Sequence, residues 1–160
     1  MTATTQTPVR ILHVVESLDI GGLEHMVVAL AEAQLQLGHE VRIICLWRRG
    51  ALAEFAQSRG LSVQSCDKTN GFDWQAVKRL RTEVKQFKPQ VMHIHNYMAH
   101  YYAVASKLGL RIPMIINTRH SMGAKALSDR GERLYQLAML GTDYSAMVCE
   151  AARARFVEHG

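Results

Sequence analysis

The sequence predicts an α/β fold, a doubly wound parallel sheet of about six or seven strands covered by helices. Short runs rich in valine, isoleucine and leucine alternate with amphipathic stretches, and the connections between them are brief. Of the 160 residues, 48% are hydrophobic and 21% charged, which suits one compact core. Parallel strands joined in this way bury both faces of the sheet, so the prediction is a Rossmann-like domain of three layers.

The first half of the chain supplies three predicted strands. They are VRILHVVE, EVRIICLW and LSVQS, and the helical segments between them are LEHMVVALAEAQLQLG and ALAEFAQSRG. Gly38 stands where the first helix should end, since glycine readily takes the left-handed conformation found after helix C-termini. The loop CDKTNGFD follows, and its Asn70-Gly71 pair predicts a turn.

The second half continues the same alternation. WQAVKRLRTEVKQFK predicts a helix that Pro89 ends, and its apolar face places Trp74 in the core beside Val77 and Leu80. The further strands are VMHIH, PMIINT and YSAMVC, and the further helical segments are YYAVASKLGL, LYQLAML and AARARFVEH. We expect residues 1–8 to be a disordered tail and residues 9–160 to form one domain.

Composition excludes several classes of protein. The polar start MTATTQTPVR lacks the apolar core of a signal peptide, and no stretch approaches the ~20 apolar residues of a membrane span. We therefore expect a cytoplasmic protein. Cys45, Cys66 and Cys149 are odd in number and widely spaced, which indicates neither a disulfide framework nor a zinc cluster. The net charge of +5 is compatible with anionic partners but does not choose among them.

The stretch DIGGLEHM places two glycines between the first strand and the first helix. In such sheets ligands bind beyond the carboxyl ends of the strands. Gly21 and Gly22 would let a diphosphate approach the free N–H groups of the helix; alternatively, they form a tight turn whose helix end Glu24 complements. Leu23 and Met26 stand where the dinucleotide fingerprint requires glycine, and no P-loop lysine follows.

Histidine is abundant, with eight in the chain. His93 and His95 share one strand face, as a metal pair would, but no Asp or Glu occurs in residues 86–126, so a metal hydrolase is a minor alternative. We expect His93 to pack in the sheet and His100 to lie on the surface. For His95 and His120, at strand ends, a functional role and a hydrogen-bonded core position both remain open.

Three segments together carry a family resemblance. They are RILHVVESLDIGGLEHMVVALAEAQLQLGHEVRIICL, PQVMHIHNYMAHYYAVASKLGLRIPMIINTRHSM and YSAMVCEAARARFVEHG. With G-G-x-E after the first strand, H-x-H-N at the fourth and T-x-H at the fifth, the chain resembles the amino-terminal domain of glycosyltransferase family 4 from Val9 to Gly160. Those are retaining enzymes of the GT-B fold.

The resemblance implies a two-domain enzyme whose carboxyl-terminal, donor-binding domain is absent from this chain, which alone should be nearly inactive. It places Gly21 and Gly22 at the donor diphosphate and makes His120 the catalytic residue that supports an oxocarbenium-like transition state. It also assigns four residues to the acceptor-facing loops: His95, Asn96, Ser121 and Lys125. No metal or other cofactor is expected. Cys149-Glu150 departs from the usual serine-glutamate pair and receives no role.

The expected partners are a nucleotide sugar and a glycan or lipid-linked acceptor. The basic helix would suit contact with the inner face of the membrane, or it is simply a solvated face. Its cationic residues are Lys78, Arg79, Arg81, Lys85 and Lys88. Nucleic acid is not expected, because exposed aromatics do not alternate with these charges. The alternative function is a stand-alone Rossmann-like module that binds a phosphorylated sugar or nucleotide without catalysis.

Overall fold

The computed structural model describes residues 7–120 and 129–148. Along the chain its elements are β1 (Arg10–Val15), α1 (Gly22–Gln36), β2 (Glu40–Cys45), α2 (Ala53–Ser58), β3 (Ser62–Ser65), α3 (Trp74–Phe87), β4 (Val91–His95), α4 (Tyr97–Lys107), β5 (Met114–Arg119), α5 (Asp129–Met139) and β6 (Tyr144–Met147). The six strands are all parallel and form one sheet in the order β3-β2-β1-β4-β5-β6. The chain reverses its winding direction between β1 and β4, so the predicted doubly wound fold is confirmed.

The two faces of the sheet carry separate apolar cores. On the first face, α1 and α2 pack against alternate strand residues that include Ile11, Val15 and Ile43. On the second face, α3 and α4 cover the intervening residues, among them Leu12 and Val14. Because neighbouring side chains of a strand point to opposite faces, this alternation fixes which strand residues reach which helices. Among the described residues, no helix has the length and apolar content needed to cross a membrane.

Two positions differ from the sequence prediction. Trp74 is 65% exposed, not buried, because it begins α3 at the edge of the sheet, where it packs edge-on against Phe72 with ring centroids 5.0 Å apart. His100 is fully buried, not superficial, because α4 begins at Tyr97 and turns this residue toward α5. There His100 Nε2 lies 2.7 Å from the hydroxyl of Thr142.

The predicted helix ends are confirmed at Gly38 and Pro89. Gly38 has φ +87°, and two main-chain hydrogen bonds close the end of α1, from Gly38 to Leu35 and from His39 to Gln34. The α3 helix ends at Phe87, and the left-handed Lys88 follows it directly before Pro89. Cys45 and Cys66 are buried free thiols, whereas Cys149, residues 1–6 and the helix predicted after β6 lie outside the described residues.

Gly50 holds the loop after β2 against the loop after β1. Its φ is +78°, and a methyl group there would lie 2.5 Å from the amide nitrogen of Asp19 and closer still to the carbonyl carbon of Leu18. Hydrogen bonds on either side, from Leu18 to Arg49 and from Leu52 to Leu18, lock the two loops together. A side chain at Gly50 therefore meets backbone that cannot turn away.

We expect Gly50→Ala to lower the free energy of unfolding by about 2 to 4 kcal/mol, since it adds backbone strain and overpacking. Gly38→Ala is the matched control: its φ is also positive, but nothing lies within 4 Å of the added methyl group. It should cost about 1 kcal/mol. Urea unfolding of both variants measures the difference, and equal losses would show that the contact between the loops is unimportant.

Candidate functional site

The turn between β1 and α1 leaves Gly22 exposed at the start of the helix. Gly21 is extended, with φ −170° and ψ 168°, and it caps α1 without a side-chain hydrogen bond. A methyl group on Gly22 would meet nothing within 4 Å. Neither backbone angle nor packing therefore requires glycine at Gly22. What glycine provides is access to the first amide groups of α1, where the helix dipole favours an anion.

Two carboxyl groups flank this turn. The Glu24 carboxylate folds back over Gly21, as expected for an acid in the first helical turn. Glu16 follows the end of β1, and burial, with a further contribution from the charge of Glu24, raises the pKa of its carboxyl group while Lys68 opposes the shift. The turn thus carries two neighbouring carboxyl groups, Glu16 and Glu24, with the Lys68 ammonium acting against the first.

Four histidines meet on the first face of the sheet, near the carboxyl ends of β1, β4 and β5. His13 pairs in register with His93 on the neighbouring strand, and His95 lies two residues further along the same face. The His93 and His95 ring centroids are 4.2 Å apart, and the His13 and His95 rings stack at 5.4 Å. The sequence prediction that His93 and His95 share a face is confirmed.

Hydrogen bonds connect these rings in a line. His13 Nδ1 lies 3.1 Å from His95 Nε2, and His95 Nδ1 lies 3.0 Å from His120 Nε2. The other nitrogen of His13 lies 2.7 Å from Oε1 of Gln34 on α1. We call Gln34, His13, His95 and His120 the histidine chain. His93 stands beside it and bonds through Nε2 to the Thr118 hydroxyl at 2.7 Å.

Burial makes these histidines weak bases. It lowers the pKa of His13 to about 4, against a small opposing effect of the Gln34 hydrogen bond. Burial lowers the pKa of His93 to about 3 and that of His95 well below its usual value, and neighbouring histidines lower both further. Burial also lowers the pKa of His120. At neutral pH the rings are therefore uncharged and each carries one ring proton.

Asn96 joins the ends of β4 and β5. It has φ 67°, a left-handed conformation that asparagine tolerates better than most residues. Its N–H donates to the carbonyl of Thr118 at 2.9 Å, and its side-chain oxygen accepts the N–H of His120 at 3.0 Å. The structure thus brings His95, Asn96 and His120 together, as the positions of their strand ends indicated. Ser121 and Lys125 lie outside the described residues.

Sequence analysis missed His13 and Gln34 as members of this group. His13 lies in the middle of β1, where a single histidine among apolar residues indicates nothing by itself. The order of the strands is the missing information, because it places β1 directly beside β4. Gln34 lies near the end of α1, far from His13 along the chain. Only the packing of α1 on the first face of the sheet brings the two side chains together.

The same group raises the question of a metal ion. His13, His93 and His95 each offer a nitrogen atom, and these atoms lie within 4.8 Å of one another. Uncharged imidazole is the form that binds Zn²⁺. However, within the described part of the chain no carboxylate joins them, and each ring already has a hydrogen-bond partner.

A cavity of about 560 Å³ opens at the carboxyl ends of β1, β2 and β3. Charged, polar and aromatic side chains line it: Glu16, Ser17, Asp19, Trp47, Arg48, Asp67 and Lys68. The Lys68 ammonium lies 3.9 Å from the centre of the Trp47 ring and donates to the carbonyls of Thr69 and Gly71. Asp19 belongs to the stretch DIGGLEHM, and Asp67 and Lys68 to the loop CDKTNGFD, but sequence analysis gave none of them a role.

Comparison with known proteins gives one family and a set of similar folds. The model of the family described as Glycosyltransferase Family 4 matches residues 20–160. No protein with a curated description matches the chain in sequence.

Solved structures share the fold at low sequence identity. The complex of Anabaena Alr3699/HepE with UDP has a TM-score of 0.75 and 13% identity, over 93% of this chain and 40% of that one. A glycosyltransferase from Rickettsia africae has a TM-score of 0.70 and 14% identity, over 96% and 39%. A candidate UDP-N-acetylglucosamine 2-epimerase from Listeria monocytogenes has a TM-score of 0.64 and 10% identity, over 97% and 43%. The chain spans about two fifths of the length of these proteins.

Proposed function

Because the chain belongs to glycosyltransferase family 4, we propose that it is the amino-terminal, acceptor-side half of a retaining enzyme that transfers a sugar from a nucleotide-sugar donor. The acceptor is a glycan or a lipid-linked glycan. The observation that carries this proposal is His120 at the carboxyl edge of the sheet, held by His95 through its ring and by Asn96 through its main chain.

In this proposal His120 is the catalytic residue. It contacts the donor sugar and supports the developing oxocarbenium-like charge by hydrogen bonding and by its fixed dipole. A ring held at two points needs little reorganisation when the charge develops, which is the condition for efficient electrostatic support. His95, Asn96, Ser121 and Lys125 face the acceptor. Transfer itself needs no bound metal, and metal analysis of the purified protein tests that part.

The start of α1 at the exposed Gly22 is the proposed site of the donor diphosphate. In this proposal a phosphate oxygen approaches the amide of Gly22, where an added methyl group would have nothing within 4 Å, and the Glu24 carboxylate that lies over Gly21 moves aside. That Anabaena Alr3699/HepE was solved with UDP supports a nucleotide donor. The nucleotide and its sugar would be held mainly by the second domain, which is why the isolated chain is proposed to be nearly inactive.

Gly22→Ala separates this role from a structural one. We expect the substitution to stabilise the fold by about 0.4 to 1 kcal/mol, since alanine loses less backbone entropy in a helix. In the complete enzyme it should weaken UDP binding by roughly tenfold, because the methyl group keeps phosphate oxygens from the amides. Calorimetric titration with UDP measures the second effect, and Gln36→Ala at the other end of α1 is the control. Unchanged UDP affinity would show that the diphosphate does not bind at this turn.

The native reading frame beyond codon 160 distinguishes the proposal from its alternative, a stand-alone module that binds a phosphorylated sugar or nucleotide. A further α/β domain carrying two glutamates separated by seven residues would support the transferase, and nucleotide sugars should then be screened with the complete protein. A stop codon would favour the binding module and withdraw the catalytic role of His120.

We also propose peripheral contact with an anionic membrane. The exposed Phe72 and Trp74 lie at the start of α3, on the carboxyl edge of the sheet, with the exposed Lys78 one turn further on. Aromatic side chains beside a cation suit the interface of a membrane, and each cation there contributes ~1 kcal/mol. Arg79 and Arg81 instead bind main-chain carbonyls. Sedimentation with anionic and neutral vesicles tests the contact, and equal binding to both would contradict it.

A further inference from the structure

The hydrogen bonds of the histidine chain all run in one donor-to-acceptor direction, which follows from the contact with Gln34. The atom of Gln34 nearest to His13 is the amide oxygen, 2.7 Å from Nε2. An amide oxygen only accepts hydrogen bonds, so His13 must carry its proton on Nε2. A neutral imidazole has one N–H group, and the Nδ1 of His13 is therefore an acceptor.

The same reasoning passes from ring to ring. The bare Nδ1 of His13 requires the proton of His95 to be on Nε2, 3.1 Å away. His95 Nδ1 is then bare, and it requires the proton of His120 to be on Nε2, 3.0 Å away. Each ring thus donates through Nε2 toward Gln34 and accepts through Nδ1 from the next ring.

The last atom of this line is Nδ1 of His120. Within the described residues it has no hydrogen-bond partner, and the ring is only partly buried at the edge where ligands bind. An unprotonated ring nitrogen accepts a hydrogen bond from a donor such as a hydroxyl group. A phosphate oxygen offers it no proton at neutral pH, so this atom discriminates between the two parts of a nucleotide sugar.

Burial keeps the line intact. His13 and His95 are almost completely buried, and the low pKa values that follow prevent a second ring proton from breaking the sequence of donors and acceptors. The titratable groups next to these rings are the other histidines, His93 included. Gln34 and Thr118, which also bond to the rings, are neutral. No carboxylate within the described residues bonds to the chain.

We propose that Gln34 fixes the tautomer of His120 through His13 and His95, so that Nδ1 of His120 accepts a hydrogen bond from a hydroxyl group of the bound sugar. The contact with a sugar hydroxyl group rests on the function proposed above, whereas the assignment of the His120 tautomer does not. Gln34, His13 and His95 are positioning residues in this arrangement, and Gln34 acts on the reaction centre across two other side chains.

The test is a nitrogen NMR measurement on the 160-residue chain with labelled histidine rings. Long-range proton–nitrogen correlations distinguish a protonated ring nitrogen from a bare one. At neutral pH we expect His13, His95 and His120 each to show one tautomer, protonated at Nε2. A proton on Nδ1 of His120, or a mixture of tautomers there, would overturn the proposal without any variant being needed.

Three variants test the role of Gln34. Gln34→Leu removes the acceptor, and the single tautomer of His120 should give way to a mixture. Gln34→Glu retains an acceptor oxygen, and at a pH where His13 stays uncharged beside the new carboxylate it should preserve the single tautomer. Gln36→Leu lies on the exposed side of the same helix and should change nothing. If His120 keeps one tautomer in Gln34→Leu while the backbone spectrum remains native, Gln34 does not set the direction and the proposal fails.

The outcome is separable from that of the proposed function. A single Nε2-protonated tautomer that is lost in Gln34→Leu confirms the chain even if the complete protein transfers no sugar. Conversely, an active transferase whose His120 is protonated at Nδ1 would leave the function in place and remove the positioning role of Gln34.

Discussion

Replacing His120 with alanine in the complete enzyme is expected to slow glycosyl transfer by ~10² or more, because it removes a positioned dipole from the transition state. The loss should appear in kcat, since the interaction strengthens as charge develops on the sugar. Initial rates with saturating donor measure it. Unchanged turnover would take His120 out of the mechanism.

Two milder substitutions sharpen that experiment. The side-chain oxygen of asparagine can occupy the position of histidine Nδ1, whereas the amide group of glutamine can occupy the position of histidine Nε2. If the sugar uses Nδ1, His120→Asn should therefore retain more activity than His120→Gln. His39→Ala, which changes a histidine just beyond the far end of α1, is the control for loss of histidine as such.

Lowering the pH from 7 to 5 is expected to remove about 4 kcal/mol of stability through His13 and His100 alone. Burial lowers the pKa of both to about 4, from an unfolded value of 6.5. Between these values the unfolded chain binds protons that the folded chain does not, so unfolding becomes easier as the pH falls. The loss begins near pH 6.5 and levels off near the folded pKa values.

Urea unfolding at both pH values measures this effect. His95 and His93 should add to it, because burial lowers their pKa values as well. In His100→Leu the difference between the two pH values should shrink by about 2 kcal/mol. Equal stability at both pH values would mean that the buried histidines take up protons as readily in the folded state as in the unfolded state.

Periodicity was sufficient to predict the layers of this fold but not the direction of every side chain. Alternating apolar residues identified β1 and β4, and the glycine and proline positions identified the ends of α1 and α3. Trp74 was assigned to the core because it continues the apolar stripe of its helix. At the start of the helix the stripe extends beyond the buried core, so Trp74 stays largely exposed and packs edge-on against Phe72. Only the tertiary structure shows where the core ends.

The site was predictable to the extent that it lies at strand ends. His95, Asn96 and His120 follow from the rule that parallel strands present their carboxyl ends at one edge. His13 and Gln34 do not, because their proximity depends on which strands are neighbours and on how a helix crosses them. The sequence pattern shows the hydrophobic period of each element, but it does not show that β1 and β4 are neighbours in the sheet.

The two tryptophans give the protein a built-in optical reporter. Trp47 lines the cavity beside the first strands, under the ammonium of Lys68, while Trp74 stands in solvent on the outer helix. Because these are the only two in the chain, Trp74→Phe leaves a single indole whose emission comes from the mouth of the cavity. A ligand that enters the cavity should displace the Lys68 ammonium from the Trp47 ring or exclude water from that ring. The change in Trp47 fluorescence would then report ligand binding.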